Sequence, residues 1–387
     1  MRLMRLLTSL FWTFGLLAMS GGILSVTASP LSSGVEPESG GIVCPPAVYA
    51  SDPGDCLPLG PAAYLSSWAA QGIPYPPRPL PAYPPDPALS QIPYRYYKLD
   101  QVPVDAYSSL ENAQAQTGAV YTFWPGFVYL TYLDVIQDRG YYFLLDDYRW
   151  IPGKGSRIGQ LPTFHGLQFS STPRYSFGWA IEHDLPVRSA PGYQAPEIGR
   201  KLALYEVTPV YAVEEVEGYD WYLIAPGQWV DGRKVGRVIP HAVPPEGVTN
   251  DRWIEVNLEQ QTLAVYDHRR LIFTTLIASG AEPMWTRPGL FQIYEKKETE
   301  TMRNNDPTDY YYLDKVPWTM YFDQARALHG AYWRTRFGYP QSHGCVNLSI
   351  GDAHWLFDWA GVGDWVYVHD PSGKTPTDPS LYGAGAP

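Results

Sequence analysis

Apolar and polar positions along the chain fall into four regimes: one long apolar run, a Pro-rich stretch, a long region of short alternating segments, and one stretch with helical spacing. The apolar run extends from Leu6 to Val26, behind Arg2 and Arg5, and ends at the small residues Val26-Thr27-Ala28. A basic start, an apolar middle and a small-residue end is the layout of a secretory signal, and the run is also long enough for an uncleaved membrane anchor. Residues 1–28 are therefore read as a signal peptide or membrane anchor. Either reading puts the remainder outside the cytoplasm, secreted or held in the cell envelope. Residues 29–93 are dominated by Pro, Gly, Ala and Ser, as in Tyr75-Pro76-Pro77-Arg78-Pro79. Such a stretch lacks the periodicity to bury a core and is expected to be an extended linker.

From Tyr94 onward the apolar residues alternate over short segments, with Gly and Asp between them, which predicts a mostly β protein. A weak internal repeat runs through this region. Tyr142-Phe143-Leu144-Leu145 followed by Trp150-Ile151-Pro152-Gly153-Lys154 matches Trp221-Tyr222-Leu223-Ile224 followed by Trp229-Val230-Asp231-Gly232-Arg233, and Val102-Pro103-Val104 matches Leu185-Pro186-Val187. Two related β modules are expected, at residues 94–165 and 180–242. The second resembles a bacterial SH3-like domain, on Pro186-Val187-Arg188-Ser189, the strand Trp221-Ile224 and Gln228-Trp229-Val230; the first copy is looser. The resemblance implies small β-barrels that either bind cell-wall glycan or act as rigid spacers.

A link from His241 to Gly247 leads to a last domain, residues 251–370. Trp253-Ile254-Glu255-Val256-Asn257-Leu258, Thr262-Leu263-Ala264-Val265-Tyr266-Asp267 and Leu271 to Ile277 read as a hairpin meander. One short helix follows: Ser349 caps it, Asp352 lies three residues on, and Leu356, Phe357 and Ala360 fall at helical spacing. Trp365-Val366-Tyr367-Val368 reads as a final strand, and the tail, residues 371–387, is expected to be disordered.

Composition sharpens this reading. With 30 Tyr, 14 Trp and 38 Pro but only 17% charged residues, the chain favours strands and turns over long helices. A net charge of -11 without any basic cluster excludes nucleic acid as a partner. Three cysteines leave one unpaired. Cys44 and Cys56 lie close together in the Pro-rich stretch and are able to pair in an oxidising compartment; Cys345 is then the free thiol.

The chemistry concentrates at Leu328-His329-Gly330 and Ser342-His343-Gly344-Cys345-Val346-Asn347-Leu348. A thiol titrates near about 8.5 when unperturbed, so a nucleophilic Cys345 needs a neighbouring base. His343, two residues away, shares a face with it in extended backbone and is read as that base. Gly344 permits a strained turn, its N–H and that of Cys345 are candidate oxyanion donors, and Ser342 is read as holding the turn. His329 and Gly330 supply a second element beside the site.

At these residues the sequence resembles the L,D-transpeptidase catalytic domain family of the YkuD type, whose signature is a His-Gly pair followed by Ser-His-Gly-Cys. The resemblance spans about Arg252 to His369. It implies a β-rich catalytic domain without cofactor or metal, with Cys345 and His343 catalytic and peptidoglycan stem peptides as substrate. Cys345 would attack the carbonyl between an L-centre and a D-residue and release D-Ala. An acceptor amine then completes a cross-link; water instead gives a carboxypeptidase. His329, Gly330, Asn347, Trp318 and Tyr321 are the implied substrate-binding positions, with Tyr332 and Trp333 as further groove candidates. Asn347 stands where many members carry Arg. The insertion Thr299–Asp314, with Tyr310, Tyr311 and Tyr312, reads as a flap over the site.

Two rivals follow from the same residues. His329, His343 and Cys345 form a conceivable zinc set, although no H-E-x-x-H pair accompanies them. A non-catalytic wall-binding protein would bind through the repeats and leave Cys345 inert.

Overall fold

A computed structural model describes residues 65, 67–69, 71–73, 79–100, 103–153 and 156–383. The chain divides at Tyr64/Leu65, and the whole first unit lies outside the described residues, as do the expected signal or anchor segment, Cys44 and Cys56. The second unit, Leu65–Pro387, contains all of the described residues. No helix among them is long and apolar enough to cross a membrane.

The second unit is mostly β. The repeat read from sequence is visible as a shared strand order. In the first module the antiparallel order is Ala119–Phe123, Val104–Tyr107, Trp150–Pro152, Tyr141–Leu145, Phe127–Gln137. In the second it is Glu197–Leu202, Leu185–Arg188, Gln228–Asp231, Tyr219–Ala225, Ala212–Val216. The matching motifs occupy matching hairpins, with Leu144 opposite Trp150 and Leu223 opposite Trp229. Each module closes its core with a further short strand, Tyr96–Leu99 in the first and Ser176–Ala180 in the second. The first also carries a helix, Leu110–Ala115, capped by Ser109, which the sequence pattern did not reveal.

The last domain is built on two sheets with a helix against them. Thr262–Asp267 lies between Trp253–Asn257 and Arg270–Leu276, and Trp253–Asn257 pairs in parallel with Trp365–His369. The second sheet runs Val346–Leu348, Arg326–Gly330, Tyr311–Asp323. Between them Ile254, Val256, Leu263, Phe273, Met320, Leu328, Val346 and Leu356 form a solvent-free core. The helix spans Ile350–Trp359, and the Ser349 hydroxyl accepts the Asp352 N–H at 3.3 Å, as the capping pattern predicted.

Three expectations change here. The described end of the linker, residues 79–93, is structured: Ala82–Tyr83 adds an edge strand beside Leu167–Phe169, which itself extends the sheet through Arg270–Leu276. A sheet edge leaves one side of the backbone unpaired, so proline is tolerated there. The tail is placed as far as Gly383, whose carbonyl accepts Arg326 Nη2 at 3.1 Å while the Tyr382 ring lies 5.3 Å from the same guanidinium. An aromatic ring and a buried cation supply the contacts that composition did not suggest. The insertion is no free flap. Glu295–Asn304 and Tyr311–Asp323 form a long hairpin, and its second strand pairs in parallel with the first module, Tyr311 opposite Phe127. Tyr310 is buried in that module's core.

Candidate active site

Cys345 immediately precedes the strand Val346–Leu348, which pairs in parallel with Arg326–Gly330 so that His329 stands opposite Asn347. Side chains on paired strands alternate faces together, so Cys345, Asn347, Ala327 and His329 share one face. Cys345, Asn347 and His329 line a cavity of about 60 Å³, together with Phe127, Met302, Tyr311, Leu313, Trp333, Arg334, Ser342 and His343.

The turn before the nucleophile is tightly specified. Ser342 Oγ donates to the Cys345 carbonyl at 2.6 Å and accepts the Gly344 N–H at 3.1 Å. Ser342 thus bridges two backbone groups of the turn. The Gly344 N–H is committed to that hydroxyl, which removes it from the oxyanion role the sequence suggested. Gly344 has φ +120°, and a Cβ there would sit 3.2 Å from Arg326 Nε, so only glycine fits. Thr286, fully buried, clamps the turn from below: its hydroxyl donates to the Gly344 carbonyl at 2.8 Å and accepts the Gly280 N–H at 2.9 Å.

The two histidines differ sharply. His329 is buried, and its Nδ1 lies 3.2 Å from the Gly330 carbonyl, which places the proton on Nδ1 and leaves Nε2 as the basic nitrogen, with no hydrogen bond to it among the described residues. Burial, with the nearby Arg334 charge, holds its pKa down at about 4, so the ring is neutral at pH 7. His343 is half-exposed; its Nε2 lies 3.4 Å from Asp309 Oδ1, and its ring stacks on Tyr311 at 5.3 Å and 13°. Both partners come from the hairpin. The Cys345 thiol points to the Ala325 carbonyl at 3.7 Å, and burial pushes its pKa up to about 11 against the opposing Ala327 N–H and Arg326 charge. The resting site holds a neutral thiol beside a neutral imidazole.

The other sequence candidates separate. Trp333 lines the cavity, 5.7 Å from the His329 ring. Tyr321 packs against Ala327 and Cys345 in a small buried cluster beside it. Asn347 is buried with its side-chain oxygen unpartnered, at the cavity wall. Gly330 serves through its carbonyl. Trp318 is not in the site: it stacks on His354 of the helix at 3.8 Å and 9°, on the opposite side of its strand. Tyr332 is core, stacked on Tyr96 at 3.6 Å. Arg334, Phe127 and Thr286 are residues that sequence reasoning missed, while Asp309 and Met302 lie within the stretch it read as a flap. Among the described residues no group of three or more His, Cys, Asp or Glu is arranged to hold a metal, so the zinc set read from His329, His343 and Cys345 is not assembled.

Comparisons with known proteins returned one family model and several solved structures. Solved structures similar to this chain include an L,D-transpeptidase from Stackebrandtia nassauensis, 28% identical over 33% of this chain and 57% of that one, with a TM-score of 0.26. The catalytic domain of the E. faecium L,D-transpeptidase is 28% identical over 32% of this chain and 100% of its own, with a TM-score of 0.29, and has also been described acylated by ertapenem. The match to an L,D-transpeptidase from Mycobacterium smegmatis covers 55% of this chain and 93% of that one at 16% identity and a TM-score of 0.30. No curated protein matches the chain. The chain spans little more than half of the Stackebrandtia protein, and its residues 251–368 match the family model of the L,D-transpeptidase catalytic domain, YkuD.

Proposed function

We propose that the protein is an exported peptidoglycan L,D-transpeptidase working through a Cys345 acyl-enzyme, with His329 as the general base. The supporting observation is the placement of a basic imidazole Nε2 on the same strand face as the thiol, at one cavity. The Cys345 Sγ attacks the carbonyl carbon that precedes the D-residue while its proton passes to His329 Nε2. The tetrahedral intermediate collapses, the C–N bond breaks, and His329 returns the proton to the departing amine. The amine of a neighbouring stem then attacks the thioester, gives its proton to His329 and regenerates the thiol. If water takes that place, the enzyme is a carboxypeptidase.

In this reading His343 is a positioning residue, held between Asp309 and Tyr311. The unpartnered Asn347 amide supplies a hydrogen bond to the peptide. The two β modules are SH3-like. They brace the catalytic domain and have wall glycan as their candidate ligand. Export rests on the basic and apolar character of residues 1–28.

The test is incubation of the purified extracellular portion with ertapenem, followed by intact mass. One adduct per chain, absent in Cys345→Ala, supports the acyl-enzyme. Stem tetrapeptides with and without an acceptor amine then separate transpeptidase from carboxypeptidase. Absence of any adduct, with wall binding unaffected by Cys345→Ala, would favour the non-catalytic wall-binding protein.

A further inference from the structure

We infer that Arg334 is the carboxylate anchor of the cleft, its guanidinium pairing with a carboxylate of the donor peptide bound at Cys345. The inference rests on the acyl-transfer reading above and specifies what that site recognises.

Arg334 is the only Arg or Lys among the described residues lining the cavity with Cys345, His329 and Asn347. It is close enough to His329 for its charge to depress that imidazole's basicity. Its hydrogen bonds go to neutral acceptors alone: Nη1 donates to Gln341 Oε1 at 3.1 Å and Nη2 to the Gln341 carbonyl. Nε is buried without a partner. Among the described residues no carboxylate forms an ion pair with it.

The neighbouring Arg326 and Arg336 also have a buried, unpartnered Nε, and differ from Arg334 in being ion-paired. Arg336 meets Glu182 at 3.3 Å, and Arg326 meets Asp323 at 3.1 Å, a carboxylate that Arg287 also engages at 2.9 Å. A half-buried guanidinium left unpaired is costly, and its planar fork matches a carboxylate in two hydrogen bonds. Burial also lowers its pKa to about 10, so it stays charged at pH 7. The cavity wall thus carries a fixed positive charge that nothing on the described chain neutralises, beside the atom that attacks a peptide carbonyl. A donor stem offers such an anion either at the carboxyl end of the departing D-residue or on a side chain.

The experiment compares three donor peptides: the free acid, its C-terminal amide and its side-chain amide. Each is assayed with the purified wild type, Arg334→Met and Arg334→Lys. The wild type should lose roughly 10- to 100-fold in kcat/KM on the donor whose anchored carboxylate has been amidated, the range of a charged hydrogen-bonded pair. Arg334→Met should bring acid and amide within about twofold of each other by slowing the acid alone, and Arg334→Lys should keep part of the preference. Discrimination against the C-terminal amide assigns the departing residue's carboxylate; discrimination against the side-chain amide assigns the other. If Arg334→Met is inactive on all donors, the ratio measured with Arg334→Lys decides. Equal wild-type rates on all three donors, or an unchanged ratio in the variants, overturns the anchor and leaves the acyl-transfer reading standing. No wild-type turnover of any donor overturns both.

Discussion

At Cys345, burial and reactivity pull in opposite directions. Reactive thiols usually sit where positive charge and solvent lower their pKa, yet here desolvation holds the group near about 11. In the proposed mechanism the thiolate is therefore formed during attack, when His329 accepts the proton, and is not stored beforehand. The rate of acylation then depends chiefly on which residue is the base. His329→Ala should slow ertapenem acylation by about 10²–10⁴-fold, the usual contribution of a general base. His343→Ala should cost about tenfold, because it loses only a ring that steadies the cleft, and Asp309→Asn should follow it. Stopped-flow acylation rates check the order; a larger loss in His343→Ala would return the base role to His343. The Ser-His-Gly-Cys run was legible from sequence because its members are adjacent and share one turn. Which histidine faces the thiol was not legible, since that depends on the parallel register of His329 with Asn347. The roles of Arg334 and Asp309 were invisible for the same reason: their relevance comes from packing between distant segments.

The element that organises the cleft is the hairpin Glu295–Asn304 and Tyr311–Asp323. The sequence read Thr299–Asp314 as a flap over the site, because nothing local signals a partner for it. The partner is the first module. The Phe127 N–H donates to the Tyr310 carbonyl at 3.1 Å, and Asp314 is buried between Thr131 and Thr301, accepting the Thr131 N–H at 3.2 Å and the Thr301 hydroxyl at 3.1 Å. The contact is so close that a Cβ on Gly126 would lie 1.9 Å from the Tyr310 carbonyl oxygen. Gly126→Ala should therefore pry the hairpin from the module without disturbing the core around Ile254 and Leu328. With Phe127 and Tyr311 withdrawn, the thiol gains water and its pKa falls toward about 8.5. Alkylation of Cys345 by iodoacetamide at pH 7 should then rise by about tenfold or more, while turnover of stem peptide falls. Faster alkylation with undiminished turnover would show that the docked hairpin contributes nothing to catalysis.

At the scale of the whole described unit, both modules grip the loops that shape the site. The first holds the hairpin. The second holds the segment between the two motifs, where Tyr339 donates to Glu182 Oε1 at 2.9 Å and Phe337 N–H to the Tyr205 hydroxyl at 3.0 Å. The link from the second module into the catalytic domain is itself fastened by a partly buried cluster. Glu255 Oε2 lies 2.8 Å from His241 Nε2, and Glu255 Oε1 lies 2.9 Å from His369 Nε2. Burial alone would raise the Glu255 pKa, but the two imidazoles overrule it and hold it down at about 2; the same contact raises that of His241. Linkage sets the direction of each effect. Glu255, depressed from 4.5, contributes stability above about pH 4.5 that is lost as the pH falls toward about 2. His241, raised from 6.5, contributes below that value and loses its contribution as the pH rises through its elevated pKa. Both contributions are complete only between about pH 4.5 and 6.5. Glu255→Gln removes both, at a cost of the order of 3 kcal/mol from the carboxylate side. Calorimetric scans should show the Tm of Glu255→Gln about 5 °C or more below wild type near pH 5.5. The gap should close toward pH 2 and narrow on the alkaline side. A gap that stays constant from pH 2 to 9 would mean that Glu255 acts through packing, and that the link between module and catalytic domain carries no charge-dependent fastening.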